Sequence, residues 1–324
     1  MARRALITGI AGQDGSLLAE LLLAEGYEVV GSVRSLSGNL ANLDAIRDRL
    51  ELVELDLAGE RAVADALALH RPDEVYNLAA ISLVSRSWQE PVRTAQVGVV
   101  GVTVLLEAIR RGHPGTRFFQ ASSAEMFGEP AEAPQTEETP LRPLTPYGVA
   151  KTFGHFLTGC YRARYGLHAS SGILFNHESP RRPLEFVTRK VCHAAAATRL
   201  GRLEELPLGR LAARRDWGAA EDYVRAMWLM LQAGRPGDYV IATGESHSVE
   251  ELVSLAFGHV GLDWRDYVRS DEALMRGGGE PASLVGDSSR AREHLGWEPA
   301  VRFDELVRRM VDADLALLQA QVHS

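Results

Sequence analysis

The sequence predicts an α/β protein built on a doubly wound parallel sheet, Rossmann-like, followed by a smaller, mixed portion. Two observations predict it. A short apolar run ending at Thr8 enters Gly9-Ile10-Ala11-Gly12-Gln13-Asp14-Gly15 and then the helical stretch Ser16–Glu25; strand, glycine loop and helix together are the context that gives a glycine motif meaning. Strand-like and helix-like runs then alternate as far as about residue 175, a pattern that folds as parallel strands with helical crossovers.

The first strand covers 3–8. The spacing after it, G-x-x-G-x-x-G, leaves backbone room for a pyrophosphate at Gly9, Gly12 and Gly15 and aims helix N-terminal amides at it, with Gln13 and Asp14 alongside. The second strand, Tyr27–Val33, runs into Arg34. No acidic residue stands between Val29 and Asn42 to take an adenosine ribose 2′-hydroxyl. An arginine at that strand end can hold a 2′-phosphate, so NADP is the expected cofactor and NAD the alternative. A third strand, Leu50–Leu55, ends at Asp56-Leu57, placed to meet the adenine edge. Helix 60–69, strand Glu74–Leu78 with Ala79 close-packed at its end, helix 92–111, strand Arg117–Ala121, helix 147–165 and strand His168–Leu174 follow.

Ligands of such sheets lie outside the carboxyl ends of the strands. The glycine loop, Ala79–Ser82, Ser122–Glu125 and Asn176–Arg182 therefore converge on one crevice. Residues 1–175 are expected to form the dinucleotide-binding domain. Residues 176–324 would be a substrate-binding portion with segments returning to the sheet, since Leu206–Gly209 and Tyr239–Thr243 are interspersed with helices near 186–199, 221–233, 248–260 and 303–320. Gly277-Gly278-Gly279 reads as a loop.

With 324 residues, 46% of them hydrophobic and 24% charged, the composition is that of an ordinary globular protein. A net charge of −8 argues against a nucleic-acid surface. No apolar run looks long enough to span a bilayer, and the N-terminus lacks the pattern of a signal peptide. A cytoplasmic enzyme is the expectation. Cys160 and Cys192 have neither disulfide nor zinc spacing and sit in apolar helical stretches, where buried free thiols are expected.

The chemistry centres on Tyr147 and Lys151, one helical turn apart. A tyrosine, with its pKa near ~10, needs a fixed cation beside it to act as a base at neutral pH. Of 35 basic residues only Lys151 and Lys190 are lysines, and lysine supplies a compact, titratable ammonium where arginine does not. Ser123, at the end of strand 117–121, could hydrogen-bond a sugar oxygen together with Tyr147. Glu125, two residues on, is either paired or chemical.

Taken together, Gly9-x-x-Gly12-x-x-Gly15, Ser123, Tyr147 and Lys151 resemble the extended short-chain dehydrogenase/reductase superfamily, in its nucleotide-sugar branch. Longer strings resemble the GDP-mannose 4,6-dehydratases: Ile7–Ser16, Gly172–Arg182, Phe186–Lys190, Arg215–Gly218, Asp222–Trp228 and Ile241–Val249. The resemblance implies a redox-neutral dehydration of a GDP-sugar. Tyr147 takes the 4-hydroxyl proton, its pKa lowered by Lys151 and by the nicotinamide ring, while hydride passes from C4 to NADP. Glu125 removes the C5 proton as water leaves C6, and hydride then returns to C6. The resemblance also implies His177 and Arg182 on the cofactor side, with Ser82, Asn176, Arg181, Lys190, Arg215 and Arg276 toward the substrate. A homodimer or homotetramer is expected, with no nucleic-acid or membrane partner and no metal.

The chain departs from that pattern on the substrate side. The segment after Arg34 is short, Ile81-Ser82-Leu83 replaces Gln-Ser-His, Pro183 replaces a glycine, and Gly277–Ala282 replaces Arg-Pro-x-Glu-Val-Asp, with Arg276 one position early. A related GDP-hexose or GDP-heptose therefore stands beside GDP-mannose as substrate. Competing readings are a GDP-4-keto-6-deoxy-sugar reductase or a nucleotide-sugar epimerase on the same fold. More remotely, the chain could be a non-catalytic NADP-binding sensor.

Overall fold

The computed structural model describes residues 2–271, 274 and 284–321. The chain begins with β1 (Arg4–Thr8), α1 (Gln13–Ala24), β2 (Glu28–Val33), β3 (Leu50–Glu54), α2 (Glu60–His70) and β4 (Glu74–Asn77). It continues through α3 (Val84–Gln89), α4 (Pro91–Ala95), α5 (Val102–Gly112), β5 (Arg117–Ser123), α6 (Pro146–Tyr165) and β6 (Ala169–Leu174). Next come β7 (Asn176–Glu178), α7 (Val187–Arg199), β8 (Leu206–Leu208), β9 (Arg214–Arg215), β10 (Trp217–Ala219) and α8 (Ala220–Gln232). The described chain closes with β11 (Asp238–Ile241), β12 (His247–Ser248), α9 (Val249–His259), β13 (Val268–Ser270), α10 (Ser289–Leu295) and α11 (Phe303–Ala320).

Seven strands form one sheet in the order β11-β6-β5-β4-β1-β2-β3, and every pairing in it is parallel. This is the expected doubly wound sheet, with the order reversing beside β1. Adjacent strand residues serve opposite faces. Ile7, Val29, Tyr76 and Phe119 pack toward α1 and α8, whereas Leu6, Val30, Val75 and Phe118 pack toward α2 and α5, the period of two that a strand covered on both sides requires. A second core, with Val191, Trp217, Leu252, Phe257 and Met310, joins α7, α9 and α11. The outermost strand, β11, comes from beyond residue 175 and pairs with β6 from Asp238↔Ser171 to Ile241↔Leu174.

Two sequence expectations need correction. Pro91–Gly112 is one helical run of 22 residues with mean hydropathy 1.5, long and apolar enough to cross a bilayer. Here its Val102, Val104, Leu105, Leu106 and Ile109 are buried against the sheet, so the apolar character serves a core helix. A π-helical turn, Gln96–Gly101, separates α4 from α5. Cys192 is buried, as expected, but Cys160 is exposed. It lies on the outer face of α6 in register with the exposed Val149, Phe153 and Phe156, where an apolar neighbourhood in sequence is not an interior in space.

Candidate active site

The carboxyl ends of the strands open on a crevice of about 370 Å³ lined by Asp14, Ser123, Glu125, Tyr147, Lys151, Asn176, His177, Arg182, Lys190 and Arg215. Local sequence sets each wall. Thr145 caps α6 by accepting a hydrogen bond from the Gly148 amide at 3.0 Å, and Pro146 occupies its first turn. Tyr147 therefore stands at the helix start with Lys151 one turn behind it. Gly148 lets α6 approach the end of β5, since a Cβ there would lie 2.8 Å from the Glu125 carbonyl oxygen. β5 runs straight into a 3₁₀ turn, Ala124–Met126, capped by Ser123 Oγ accepting from the Glu125 amide at 3.2 Å.

Lys151 Nζ donates to the Ala121 carbonyl at 2.7 Å and lies 5.6 Å from the centre of the Tyr147 ring. Burial brings the ammonium down to about 8. The phenol of Tyr147 is pushed up to about 12, chiefly by burial and further by the Glu125 carboxylate, against the pull of a Ser123 hydrogen bond and of Arg182. The lowered tyrosine pKa implied by the family resemblance is thus not a property of the side-chain cluster alone, because desolvation of a phenolate outweighs the nearby donors.

Behind this cluster the β1–α1 loop has the form a dinucleotide requires. Gly9 takes φ +70°, and a Cβ on it would lie 2.9 Å from Ala79 Cα. A Cβ on Gly15 would lie 2.5 Å from the Gly9 carbonyl and 2.6 Å from Ile10 Cα. Gly12 is the N-cap of α1 and makes no side-chain cap. The first-turn amides are therefore left for an external anion, which fits a pyrophosphate.

Gln13 and Asp14 follow at once, and the structure gives them partners within the protein. Asp14 accepts from His177 Nε2 at 2.9 Å and from Gln13 Nε2 at 2.9 Å. Gln13 also donates to the His177 carbonyl at 3.1 Å and accepts from Ser179 Oγ at 2.9 Å, so its amide protons are both spent internally. The other ring nitrogen of His177 faces the Phe175 carbonyl at 2.7 Å. Carbonyl and carboxylate oxygens only accept, so both ring nitrogens carry protons and His177 is an imidazolium. Burial opposes that charge, but Asp14 outweighs it and raises the imidazole. Burial likewise opposes the carboxylate of Asp14, which His177, Gln13 and Arg182 hold well below its usual range.

Elsewhere in the crevice, Arg182 packs over the Phe186 ring at 3.7 Å and pairs with buried Glu178 at 3.2 Å. Lys190 Nζ donates to the Pro207 carbonyl at 2.7 Å, leaving two more ammonium protons to offer. Arg215 donates to the Arg214 carbonyl at 2.7 Å. Asp216 accepts from Thr243, Gly244 and Gly286, and Asp222 from Ala300 and Val301. Both lysines of the chain face one crevice.

Not every expected residue is there. Arg181 turns away and binds α1 through Ser16 Oγ at 3.0 Å and Glu20 at 2.5 Å, so its guanidinium is committed to an ion pair instead of a ligand. Leu57 is a core side chain against Gly101. Arg34 and Asp56 are exposed at the ends of β2 and β3, and Asp56 accepts from the Ala58 amide. Ser82 is at the crevice rim with Leu83 and Val84. Arg276 lies outside the described residues. Glu178, Thr188 and Phe186 line the crevice without having been singled out. The Thr188 hydroxyl donating to Glu178 at 2.6 Å shows why Glu178 is placed.

A family model described as GDP-mannose 4,6 dehydratase matches residues 6–310. The chain belongs to the GDP-mannose 4,6-dehydratase family. GDP-mannose 4,6 dehydratase 1 of Arabidopsis thaliana is 46% identical over 98% of this chain and 91% of its own length. The human GDP-mannose 4,6 dehydratase is 43% identical over 97% and 92%. Among solved structures, the UDP-glucose 4-epimerase of Thermotoga maritima with UDP-glucose superposes with a TM-score of 0.87 at 27% identity, covering 97% of this chain and 99% of that one. The dTDP-glucose 4,6-dehydratase of Streptomyces venezuelae with NAD and TYD bound gives 0.85 at 27%, covering 96% of each. Against that background, the family strings Gln13-Asp14 and His177-Glu178-Ser179, distant in sequence, meet in one hydrogen-bonded cluster.

Proposed function

We propose that the protein is a GDP-mannose 4,6-dehydratase, an NADP-dependent hydro-lyase that forms a GDP-4-keto-6-deoxy sugar. Membership of the family over nearly the whole chain carries the reaction. The observation that supports the assignment of roles is that Glu125 lines the crevice close to Ser123 and Tyr147, because elimination needs one acid–base group more than hydride transfer does. Bound NADP would take the C4 hydride and give it back at C6. Tyr147 accepts the 4-hydroxyl proton, and Ser123 donates to the same sugar oxygen. With C4 a ketone the C5 proton is acidic, and Glu125 removes it and protonates the departing 6-hydroxyl so that water leaves; as hydride returns to C6, C5 takes up a proton that balances the one Tyr147 accepted. Asn176, Lys190 and Arg215 are proposed to hold the sugar and diphosphate groups, Arg182 the cofactor, and Arg34 an adenosine 2′-phosphate. Purified protein given GDP-mannose and no NADPH is expected to yield a 4-keto sugar. Turnover confined to a keto-sugar with consumption of NADPH would instead make it a reductase.

A homodimer is also proposed. Its support is an apolar stripe on α6, Val149, Phe153 and Phe156, exposed at 55%, 39% and 58%, beside Trp88 and Val92 on α3 and α4. Contiguous apolar surface of this kind marks a protein contact. Cytoplasmic location is proposed as well, with two unpaired thiols in keeping with a reducing compartment.

A further inference from the structure

Five side-chain contacts tie residues 177–181, which follow the last central strand, to the start of α1, which offers its amides to the pyrophosphate. Asp14 pairs with His177, and Gln13 binds the His177 carbonyl and Ser179. Arg181 reaches past them to Ser16 and Glu20. The imidazolium is held from behind by Tyr223 of α8, stacked on it at 4.5 Å and 21°. Asp14 and His177 both line the crevice, so these contacts tie the glycine-loop end of α1 to the lining of the site.

Given the dehydratase reading, on which this inference rests, the cofactor must stay bound. A hydride taken from C4 has to return to C6 of the same sugar, and an enzyme that releases the reduced cofactor midway is stranded with a ketone. We infer that the Gln13–Asp14–His177–Ser179–Arg181 contacts form a clasp that retains the dinucleotide from one turnover to the next. In this account Gln13, Asp14 and Arg181 are positioning residues that act by holding the 177–181 segment against α1. A cofactor-exchanging relative of the same fold would have no need of such a clasp.

The test uses the full chain loaded with NADP⁺. Nucleotide carried through gel filtration is quantified after acid release, and its dissociation rate is measured by chase with excess unlabelled NADP⁺. Wild type is expected to keep close to one nucleotide per chain, and Asp14→Asn and His177→Gln to dissociate it at least about tenfold faster. Arg181→Met, at the partly exposed edge of the clasp, tests the same point should the buried variants fold poorly. It is expected to raise the dissociation rate while leaving the dependence of rate on GDP-mannose concentration unchanged, which general destabilisation would not do. Folded variants that dissociate NADP⁺ at the wild-type rate would overturn the clasp. A wild type that exchanges NADP⁺ freely yet dehydrates GDP-mannose would overturn it too while leaving the function intact. Failure to dehydrate GDP-mannose at all would instead count against the functional reading.

Discussion

Burial pushes the Tyr147 phenol up to about 12, so at neutral pH it holds its proton until charge in the crevice stabilises the phenolate. The Lys151 ammonium lies 5.6 Å from the centre of the Tyr147 ring and is already brought down to about 8. Replacing Lys151 by arginine is therefore not conservative. A planar guanidinium differs in shape from the compact ammonium that donates to the Ala121 carbonyl at 2.7 Å, and Lys151→Arg should slow the first hydride transfer by roughly 10²-fold or more in single-turnover kinetics. Glu125→Gln should separate the steps. Reduced cofactor is expected to accumulate at 340 nm on adding GDP-mannose while water loss falls by about 10²–10⁴; a variant that eliminates at the normal rate would remove Glu125 from the mechanism. At this scale the meeting of Ser123, Glu125, Tyr147 and Lys151 in one crevice was legible because two stand at the end of β5 and two one turn apart at the start of α6. Arg181 was misread because its partners, Ser16 and Glu20, lie on a helix more than 160 positions away, a pairing no local pattern encodes.

The Asp14–His177 pair joins two elements, α1 and β7, and its protonation makes their union depend on pH. Asp14 is held below its ordinary value in the folded protein, so its contribution is present above the unfolded carboxylate pKa, near ~4, and is lost as pH falls. His177 is raised, so its contribution is complete below the unfolded imidazole pKa, near ~6.5, and is lost as pH rises through the folded value. The excess thermal stability of wild type over the double variant Asp14→Asn/His177→Gln should be greatest between about pH 4 and 6.5 and shrink on both sides. A difference that shrinks neither as pH falls below about 4 nor as it rises well beyond about 6.5 in a series of melts would mean the pair is not charged. Element boundaries were mostly legible to within a residue or two, since Gly26 and Gly166 close α1 and α6 in left-handed conformations at φ +81° and +68°. The long apolar stretch Pro91–Gly112 was harder, because a helix packed on one face by a sheet and on another by α6 carries nearly as many apolar residues as a spanning one.

Across the whole molecule the open question is what covers α6. Its Val149, Phe153 and Phe156 cannot reach the chain's own core, which lies on the opposite face of the helix. Phe156→Glu should convert the proposed dimer to monomers in light scattering at micromolar concentration, with little loss of secondary structure. An unchanged mass would place the subunit contact elsewhere. The stripe could be read from the i, i+4, i+7 spacing, but not which side of the helix faced the sheet. That depends on Gly154, whose missing side chain lets the helix approach Gln120 of β5.

The position of β11 bears on how the chain comes to be made. All six residues of β6 are buried, yet the strand that covers its outer edge is synthesised only after β7, α7 and α8. At ~5–20 residues per second the nascent chain presents β6 as an open, apolar sheet edge for several seconds, roughly, before Asp238–Ile241 emerges. A fragment ending at residue 236 would keep that edge for good. It should partition into the insoluble fraction on expression where the full chain stays in solution, and a soluble, monomeric fragment would mean that the sheet can close without its seventh strand. The last strand of the sheet to be translated is thus what protects its edge from neighbours on the polysome.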